Sequence, residues 1–329
     1  MFSSHAHLSR TTLSSNVEMQ PTRDGFGMGL VEAGEKHDNV VVLCADLSTS
    51  TRAGKFKEKF PERFIQTGIQ EQNMAGVAVG LALNGKIPFL ATYAVFSPGR
   101  NWDQIRISGC YNNANVKYVG AHAGISVGPD GATHQAMEDI ALMRVLPRMT
   151  VLAPCDALEA QKVVLASAKH EGPVYFRLSR SATPAFTTDK TPFGIGKAIV
   201  FREGKDVAII ATGPIVHSAL QAADRLVEEG ISCMVVNSPS IKPLDEDTIE
   251  RVAKTCGAVV TCEEHQIAGG FGSAVAEFLA RTNPVPMEFI GMHDSFGESG
   301  TPDELLKKYK MDAEGISLAV KKVVKRKRQ

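Results

Sequence analysis

Short apolar runs that alternate with helical patterns dominate this sequence, and they restrict the folds that it can adopt. Val40–Ala45 is almost continuously apolar and ends at Asp46, as expected for a strand buried on both faces of a parallel sheet. Segments such as Met74–Leu81 repeat apolar residues at i, i+3, i+4 and i+7, which is typical of an amphipathic helix. Further strand candidates are 63–66, 88–92, 116–121, 150–153, 174–178, 207–211, 233–237, 258–262 and 287–290. This alternation predicts parallel sheets connected by crossover helices.

A stretch rich in Ser, Thr, Pro and Gly, between Arg180 and Gly196, divides the alternation into two parts. We interpret residues 186–196 as an interdomain linker. The predicted fold is therefore α/β with two domains, residues 21–185 and 197–325, each a mostly parallel sheet flanked by helices. Residues 1–17 are rich in Ser and Thr and contain no acidic residue. A targeting segment can have this composition, but we expect residues 1–20 to be a flexible N-terminus.

The charge and the cysteine content indicate which partners and which cellular compartment to expect. Lys plus Arg and Asp plus Glu number 36 each in 329 residues, so bulk charge favours neither a nucleic-acid nor a membrane partner. No apolar run in the sequence reaches the length of a membrane-spanning helix. The 6 cysteines form no C-x-x-C pair, which favours free thiols and a cytoplasmic protein.

Polar residues follow three of the predicted strands of the first domain. Asp46, His122 and Arg180 each come directly after a strand or within two residues of its end. Ligands of open parallel sheets gather outside the carboxyl ends of the strands. We therefore look for chemistry in the first domain.

Glu71 stands just ahead of an apolar helical pattern, in the segment Gly68–Met74. An acid in the first turn commonly stabilises the helix dipole, so its position alone does not indicate catalysis. The loop His122–His134 is rich in glycine and contains Asp130 between two histidines. Such a loop favours a site for a polar substrate, and nothing in its spacing indicates a metal site in this chain. Tyr93 and Phe96 fit the core or could stack on a planar heterocycle.

Taken together, several motifs resemble transketolase in their order and spacing. The resemblance covers nearly the whole chain from Thr22 onward and matches the pyrimidine-binding domain followed by the C-terminal domain. The domain that binds the diphosphate, with its Gly-Asp-Gly signature, is absent from this sequence. The motifs are Gly68–Met74, Ala121–Ile125 with Asp130–Gln135, Val174–Arg180, Ile241–Asp245, and Glu263–His265 with Gly269–Gly270. The chain therefore resembles the C-terminal subunit of a split transketolase, in which two polypeptides form one enzyme.

The resemblance implies thiamine diphosphate as the cofactor. Glu71 would hydrogen-bond the aminopyrimidine and favour its imino tautomer, which makes this residue catalytic. Tyr93 and Phe96 would stack on the pyrimidine, and Asp46 would lie near the thiazolium ring. The diphosphate, with Mg²⁺ or Ca²⁺, would be held by the partner subunit.

The resemblance also implies how a sugar phosphate is bound. Four residues match positions that bind the sugar phosphate in transketolases: Arg23, Ser50, His122 and Arg180. Asp130 and His134 match residues that contact hydroxyls near the reacting carbon, with His134 also catalytic. Pro98–Gly99 and Pro129 depart from the common pattern, which leaves the sugar preference open.

The implied reaction is transfer of a two-carbon ketol unit between ketose and aldose phosphates, as in the pentose phosphate pathway. The implied partner is an N-terminal subunit that carries the diphosphate-binding domain, with self-association into a heterotetramer. One alternative keeps the cofactor and changes the reaction, as in a 2-oxoacid dehydrogenase β subunit or a deoxyxylulose-phosphate-synthase-like enzyme. Another is a non-catalytic remnant that binds partners. The joint presence of the arginines, histidines and Asp130 favours the sugar-phosphate interpretation, and an intact Glu71 argues against the remnant.

Overall fold

A computed structural model describes residues 2–327 and shows two α/β domains. The strands of the first domain are β1 (Glu18–Gln20), β2 (Val40–Cys44), β3 (Phe64–Gln66), β4 (Ile87–Tyr93), β5 (Lys117–Ala121), β6 (Thr150–Leu152), β7 (Val174–Arg177) and β8 (Thr183–Ala185). Its helices are α1 (Thr22–Lys36), α2 (Ser48–Thr51), α3 (Gly54–Lys59), α4 (Glu71–Leu83), α5 (Trp102–Gln104), α6 (Asp139–Arg144) and α7 (Ala157–Lys169). A π-helix (Ile105–Tyr111) continues α5, and 3₁₀ turns span Pro61–Arg63 and Ile125–Asp130.

The second domain has the same strand–helix alternation. Its strands are β9 (Ile199–Arg202), β10 (Val207–Ala211), β11 (Cys233–Asn237), β12 (Ser240–Lys242), β13 (Val259–Gln266) and β14 (Met287–Met292). Its helices are α8 (Ile215–Arg225), α9 (Glu246–Cys256), α10 (Phe271–Thr282), α11 (Pro302–Lys308) and α12 (Ala313–Lys327). The predicted fold class is confirmed: both main sheets are mostly parallel and carry helices.

The sheet of the first domain has the strand order β12-β6-β7-β5-β4-β2-β3. All neighbouring strands in it run parallel except β12, which belongs to the second domain and pairs antiparallel with β6. Helices α1 and α7 pack closely together, because glycines on α1 allow backbone contact. A Cβ atom built on Gly25 would lie 1.7 Å from the carbonyl oxygen of Ala157. Any larger residue at position 25 would push the two helices apart.

The second domain contains a sheet of strand order β14-β13-β10-β11-β9, in which only β9 is antiparallel. The central strand β10 is fully buried, as its uninterrupted apolar sequence predicts. Helices α8 and α12 pack against each other on one side of this sheet, and α9 lies against α10. Glu263, in the middle of β13, accepts hydrogen bonds from the backbone N–H groups of Phe271 and Gly272, at 2.6 and 2.7 Å. The Gly-rich segment therefore leads into the N-terminus of α10, where a buried carboxylate accepts the free backbone N–H groups of the first turn.

Buried polar contacts join the two domains. Arg177 on β7 pairs through Nε with Asp139 at 3.1 Å, and its Nη1 donates to the backbone carbonyl of Glu264 at 3.0 Å. The side chain of Glu264 in turn accepts the backbone N–H of Ser126 at 3.2 Å. The charge pair lies within the first domain and holds the guanidinium of Arg177 in place, while the two hydrogen bonds to Glu264 cross between the domains beside the loop that follows β5.

The N-terminal segment differs from the expectation of a flexible end. Ala6 and Thr12 are fully buried. The backbone N–H of Ser3 donates to Phe201 at 3.0 Å, and His217 Nε2 contacts the carbonyl oxygen of Thr12 at 2.7 Å. Residues 2–20 are thus anchored on the second domain, on Phe186 of the predicted linker through the N–H of Ser9, and on the last strand of the first domain through the pairing of β1 with β8. Composition could not show this, because the partners of the segment lie far away in sequence.

The predicted linker is itself packed. Phe186 is fully buried, and the N–H groups of Phe186 and Thr187 donate to Asp156 at 2.9 and 2.7 Å. All six cysteines are buried free thiols. Within residues 2–327, no helix combines the length and the apolar character that crossing a membrane requires.

Candidate active site

Glu71 is the first residue of helix α4 and is only 4% exposed. It lies beside a cavity of about 340 Å³ lined by residues 69–73 and Arg100. Asn101, fully buried, donates from Nδ2 to the backbone carbonyl of Glu71 at 3.3 Å. A carboxylate that is buried at the edge of an open cavity can form a strong hydrogen bond to a ligand there, because little water competes for it.

Arg100 contacts Glu71 from the other side of this space. Its Nη1 lies 3.4 Å from both carboxylate oxygens, and its guanidinium carbon lies 4.2 Å from the ring centroid of Phe96. The guanidinium therefore stands between the acid and an aromatic ring. Sequence reasoning missed Arg100 because its spacing resembles no motif. The one local clue is its position four residues beyond Phe96.

Arg100 and two aromatic rings connect Glu71 to the histidine loop. Tyr93 and Phe96 lie nearly parallel, with centroids 5.8 Å apart and an interplanar angle of 18°. Tyr93 stacks on His122 at 4.0 Å, and the edge of His134 meets Phe96 at 5.6 Å. The structure thus places the acid, the two aromatics and both histidines in one continuous group.

A polar network surrounds His122. Arg23, at the start of α1, donates from Nη1 to the backbone carbonyl of Ser50 at 2.8 Å and lies 2.9 Å from Nε2 of His122. The hydroxyl of Tyr93 donates to Ser50 Oγ at 2.9 Å. Because a guanidinium only donates, Nε2 of His122 accepts and Nδ1 carries the proton. In the described part of the chain, Nδ1 of His122 and Nε of Arg23 are buried without a partner, which is unusual outside functional sites.

The imidazole of His122 is held neutral. Burial and the neighbouring Arg23 and Arg180 lower its pKa to about 3, because each disfavours a second positive charge. The proton therefore binds His122 more weakly in the folded chain than in the unfolded chain. The contribution of this group to stability is complete above a pH of about 6.5, the ordinary pKa of histidine, and is lost as the pH falls towards 3.

We expect the ring signals of His122 to remain constant between about pH 8 and pH 5 in an NMR titration of the free chain, because the folded-state pKa lies well below this range. The exposed His293 serves as the comparison within the same sample. A sigmoidal change of the His122 signals centred near the ordinary histidine pKa would contradict the assignment of a neutral ring to this network.

Arg180 and Asp130 form the second charged pair of the site. Nη1 of Arg180 lies 3.0 Å from Oδ1 of Asp130 and 2.9 Å from the carbonyl oxygen of Val127. About a third of each side chain is exposed, so the pair borders the open side of the site. In the same loop, Thr133 Oγ1 contacts His134 Nδ1 at 2.9 Å. Asp130 and His134 of this loop, together with Arg180, thus form a partly exposed polar group that a ligand can reach.

Asp46 stands apart from these contacts. Its side chain is exposed at the end of β2, where the backbone is left-handed with φ of 59°. The backbone N–H of Asp46 donates to Oε1 of Gln66 at 2.9 Å. His122, after the parallel strand β5, has a similar φ of 55°. Positive φ angles are uncommon in residues other than glycine, and they cluster at functional sites.

The residues present fit the aminopyrimidine part of thiamine diphosphate. Glu71 offers a buried carboxylate beside the cavity, and Phe96 offers a ring face that the guanidinium of Arg100 covers. Among residues 2–327, no group of three or more His, Cys, Asp or Glu side chains could hold a metal ion.

Comparisons with known proteins agree with this geometry. The family model for the transketolase pyrimidine-binding domain matches residues 18–185, and that for the transketolase C-terminal domain matches residues 196–316. The 6-deoxy-6-sulfo-D-fructose transketolase subunit SqwH of Clostridium sp. is 41% identical over 305 residues, covering 93% of this chain and 95% of that protein.

Two further relatives match over nearly their whole length. A subunit of the apulose-4-phosphate transketolase of Phocaeicola vulgatus is 36% identical over 305 residues, covering 92% of this chain and 97% of that protein. A solved structure described as a split gene transketolase, inactive beta4 tetramer, shares 48% identity with a TM-score of 0.88, covering 93% of this chain and 99% of the other. The chain belongs to the transketolase family, as a pyrimidine-binding domain followed by a transketolase C-terminal domain.

Proposed function

We propose that this chain is the C-terminal subunit of a transketolase that requires thiamine diphosphate and is built from two kinds of subunit. The enzyme transfers a two-carbon ketol unit between ketose and aldose phosphates. The observation that carries the proposal is the buried Glu71 at its cavity, linked through Arg100, Phe96 and Tyr93 to the network of His122 and Arg23.

The residues of this chain orient the cofactor. Bound thiamine diphosphate supplies the electron sink for breaking and forming the carbon–carbon bond. Glu71 would donate or accept a proton in a hydrogen bond to a ring nitrogen of the pyrimidine, and its burial would strengthen that bond. Phe96 offers a ring face to the pyrimidine, with Tyr93 behind it. Asp46 lies at the same edge of the sheet, on the side assigned to the thiazolium ring.

The charged groups bind and position the substrate. Arg23 and Arg180 attract the phosphate, because a guanidinium matches its oxygen geometry. Ser50, His122, Asp130 and His134 contact the hydroxyls, and the neutral imidazole of His122 offers a hydrogen bond without adding charge. The name of one relative refers to a sulfo-sugar, which suggests that the anionic group differs among relatives. The sugar that this chain prefers is therefore the one whose anionic group and hydroxyls match the positions of these side chains.

A second subunit completes the site. An N-terminal transketolase subunit holds the diphosphate through Mg²⁺ or Ca²⁺, which prefer oxygen ligands. The names of two relatives as subunits, and the description of a solved relative as an inactive tetramer of one chain, support this division. We propose a heterotetramer of the two kinds of subunit. The buried free thiols support a cytoplasmic enzyme, and sugar phosphates support a role in the pentose phosphate pathway.

Reconstitution with the N-terminal subunit tests the proposal. The purified pair, with thiamine diphosphate and Mg²⁺, is given a ketose phosphate and an aldose phosphate, and the exchanged sugars are quantified. Parallel reactions contain pyruvate alone or pyruvate with an aldose phosphate. We expect ketol transfer to exceed pyruvate decarboxylation and condensation by at least about tenfold in kcat/KM, a difference of about 1.4 kcal/mol in transition-state binding. Preferential use of pyruvate would instead support the 2-oxoacid or deoxyxylulose-phosphate reaction, and absence of both would support a non-catalytic chain.

A further inference from the structure

Arg100 is the group from which a further inference follows, and the inference rests on the proposed cofactor. Its guanidinium lies 3.4 Å from both oxygens of Glu71 and 4.2 Å from the ring centroid of Phe96. These are the two groups that the proposed function assigns to the pyrimidine, one to its edge and one to its face. A flat cationic group therefore stands where a flat heterocycle has to enter.

We propose that Arg100 is a placeholder that pairs with Glu71 in the free chain and that the incoming aminopyrimidine displaces. In the free chain, the pair prevents an almost fully buried carboxylate from lacking a partner, which would be costly. Only 4% of the Glu71 side chain is exposed, whereas 54% of the Arg100 side chain is exposed. The arginine can therefore withdraw into solvent at little cost, while Glu71 cannot.

The geometry of the pair favours an exchange of partners. Distances of 3.4 Å lie at the long end of the hydrogen-bond range, so the contact is weaker than a close bidentate pair. The stacking of Arg100 on Phe96 is likewise a contact that another planar group can replace. Asn101 remains bonded to the backbone of Glu71, so the acid keeps its position while its partner changes.

The chemistry requires the withdrawal of Arg100. The pyrimidine needs an oxygen of Glu71 as its hydrogen-bond partner, and Nη1 of Arg100 lies 3.4 Å from both of these oxygens. Arg100 therefore competes with the cofactor for the space beside Phe96 and for the carboxylate of Glu71.

The substitution Arg100→Gln distinguishes a placeholder from a residue that binds the cofactor directly. The first role predicts a lower Kd for thiamine diphosphate in the variant, and the second predicts a higher Kd. Thiamine diphosphate is titrated with Mg²⁺ into the assembled two-subunit protein, and Kd is measured by calorimetry. We expect Arg100→Gln to bind the cofactor roughly two- to fivefold more tightly than the wild type, which corresponds to the usual strength of a partly exposed ion pair. The melting temperature of the free Arg100→Gln chain should decrease, because Glu71 loses its partner. Arg106→Gln, an exposed substitution on the following π-helix, should change neither value.

Weaker cofactor binding by Arg100→Gln would overturn the inference, since Arg100 would then hold the bound cofactor. An unchanged Kd together with an unchanged melting temperature would overturn it as well. A structure of the assembled, cofactor-loaded enzyme provides a second check: the guanidinium should lie away from Glu71. Failure of the wild-type complex to bind thiamine diphosphate at all would be a different result, because it would refute the proposed function itself.

Discussion

The variant Glu71→Gln, assembled with the N-terminal subunit, is expected to lose activity by roughly 10²- to 10⁴-fold in kcat, the range typical of a lost proton-transfer group. Glutamine has nearly the same shape, but it cannot share a proton with a ring nitrogen as a carboxylic acid does. Helix α4 should remain folded, because Gln tolerates a first-turn position. Steady-state kinetics of ketol transfer, at saturating thiamine diphosphate, measures the loss.

The control for this variant is Glu62→Gln, whose side chain is 69% exposed in the 3₁₀ turn before β3. It makes the same chemical change away from the cavity and should leave kcat within about twofold of the wild type, as is usual for a surface change. The circular dichroism spectrum and the melting temperature of both variants establish that they fold. A Glu71→Gln enzyme with nearly full activity would refute the role assigned to this carboxylate.

The variant Arg180→Ala is expected to lower kcat/KM for a phosphorylated ketose by roughly 10- to 100-fold, the loss expected for a charge-assisted hydrogen bond to substrate. The loss should be visible mainly as an increase in KM, because Arg180 binds the phosphate in both the ground and the transition state. Removing Arg180 also frees Asp130 from its pair at 3.0 Å, which adds an unpaired negative charge that repels phosphate. The stability of the chain should change little, since the pair is partly exposed.

An unphosphorylated ketose provides the control for Arg180→Ala within the same experiment. The kcat/KM for the unphosphorylated ketose should be nearly equal in the wild type and the variant. The kcat/KM for the phosphorylated ketose should fall towards that lower value in the variant. Arg251→Ala, an exposed change on α9, should affect neither substrate. Equal losses for both ketoses would mean that Arg180 supports the loop rather than the phosphate.

The alternation of strands and helices was sufficient to predict two parallel α/β sheets, since such strands are buried on both faces and consist of continuous apolar runs. It was also sufficient to locate His122 and Arg180 near the carboxyl ends of strands, where ligands of such sheets bind. The contact between Arg23 and His122 could not be predicted in this way. The two residues are 99 positions apart, and their contact depends on the strand order that places β2 and β5 on either side of β4.

Four features depended on information that local sequence does not report. Residues 2–20 look like a free terminus, but their partners lie in the second domain and between the domains. Strand β12 is only three residues long and completes the sheet of the other domain. Glu71 alone resembles an ordinary first-turn acid, and only the motifs shared with transketolase set it apart. Arg100, its partner in the free chain, has no local signal beyond its spacing from Phe96.

The central claim is that this chain holds the pyrimidine of thiamine diphosphate while another polypeptide holds the diphosphate. Calorimetric titration of the cofactor with Mg²⁺, first into this chain alone and then into its complex with the N-terminal subunit, measures this division most directly. We expect tight binding that depends on Mg²⁺ only in the complex, and weak binding that is insensitive to the metal in the chain alone. Tight, metal-dependent binding by the isolated chain would contradict the claim.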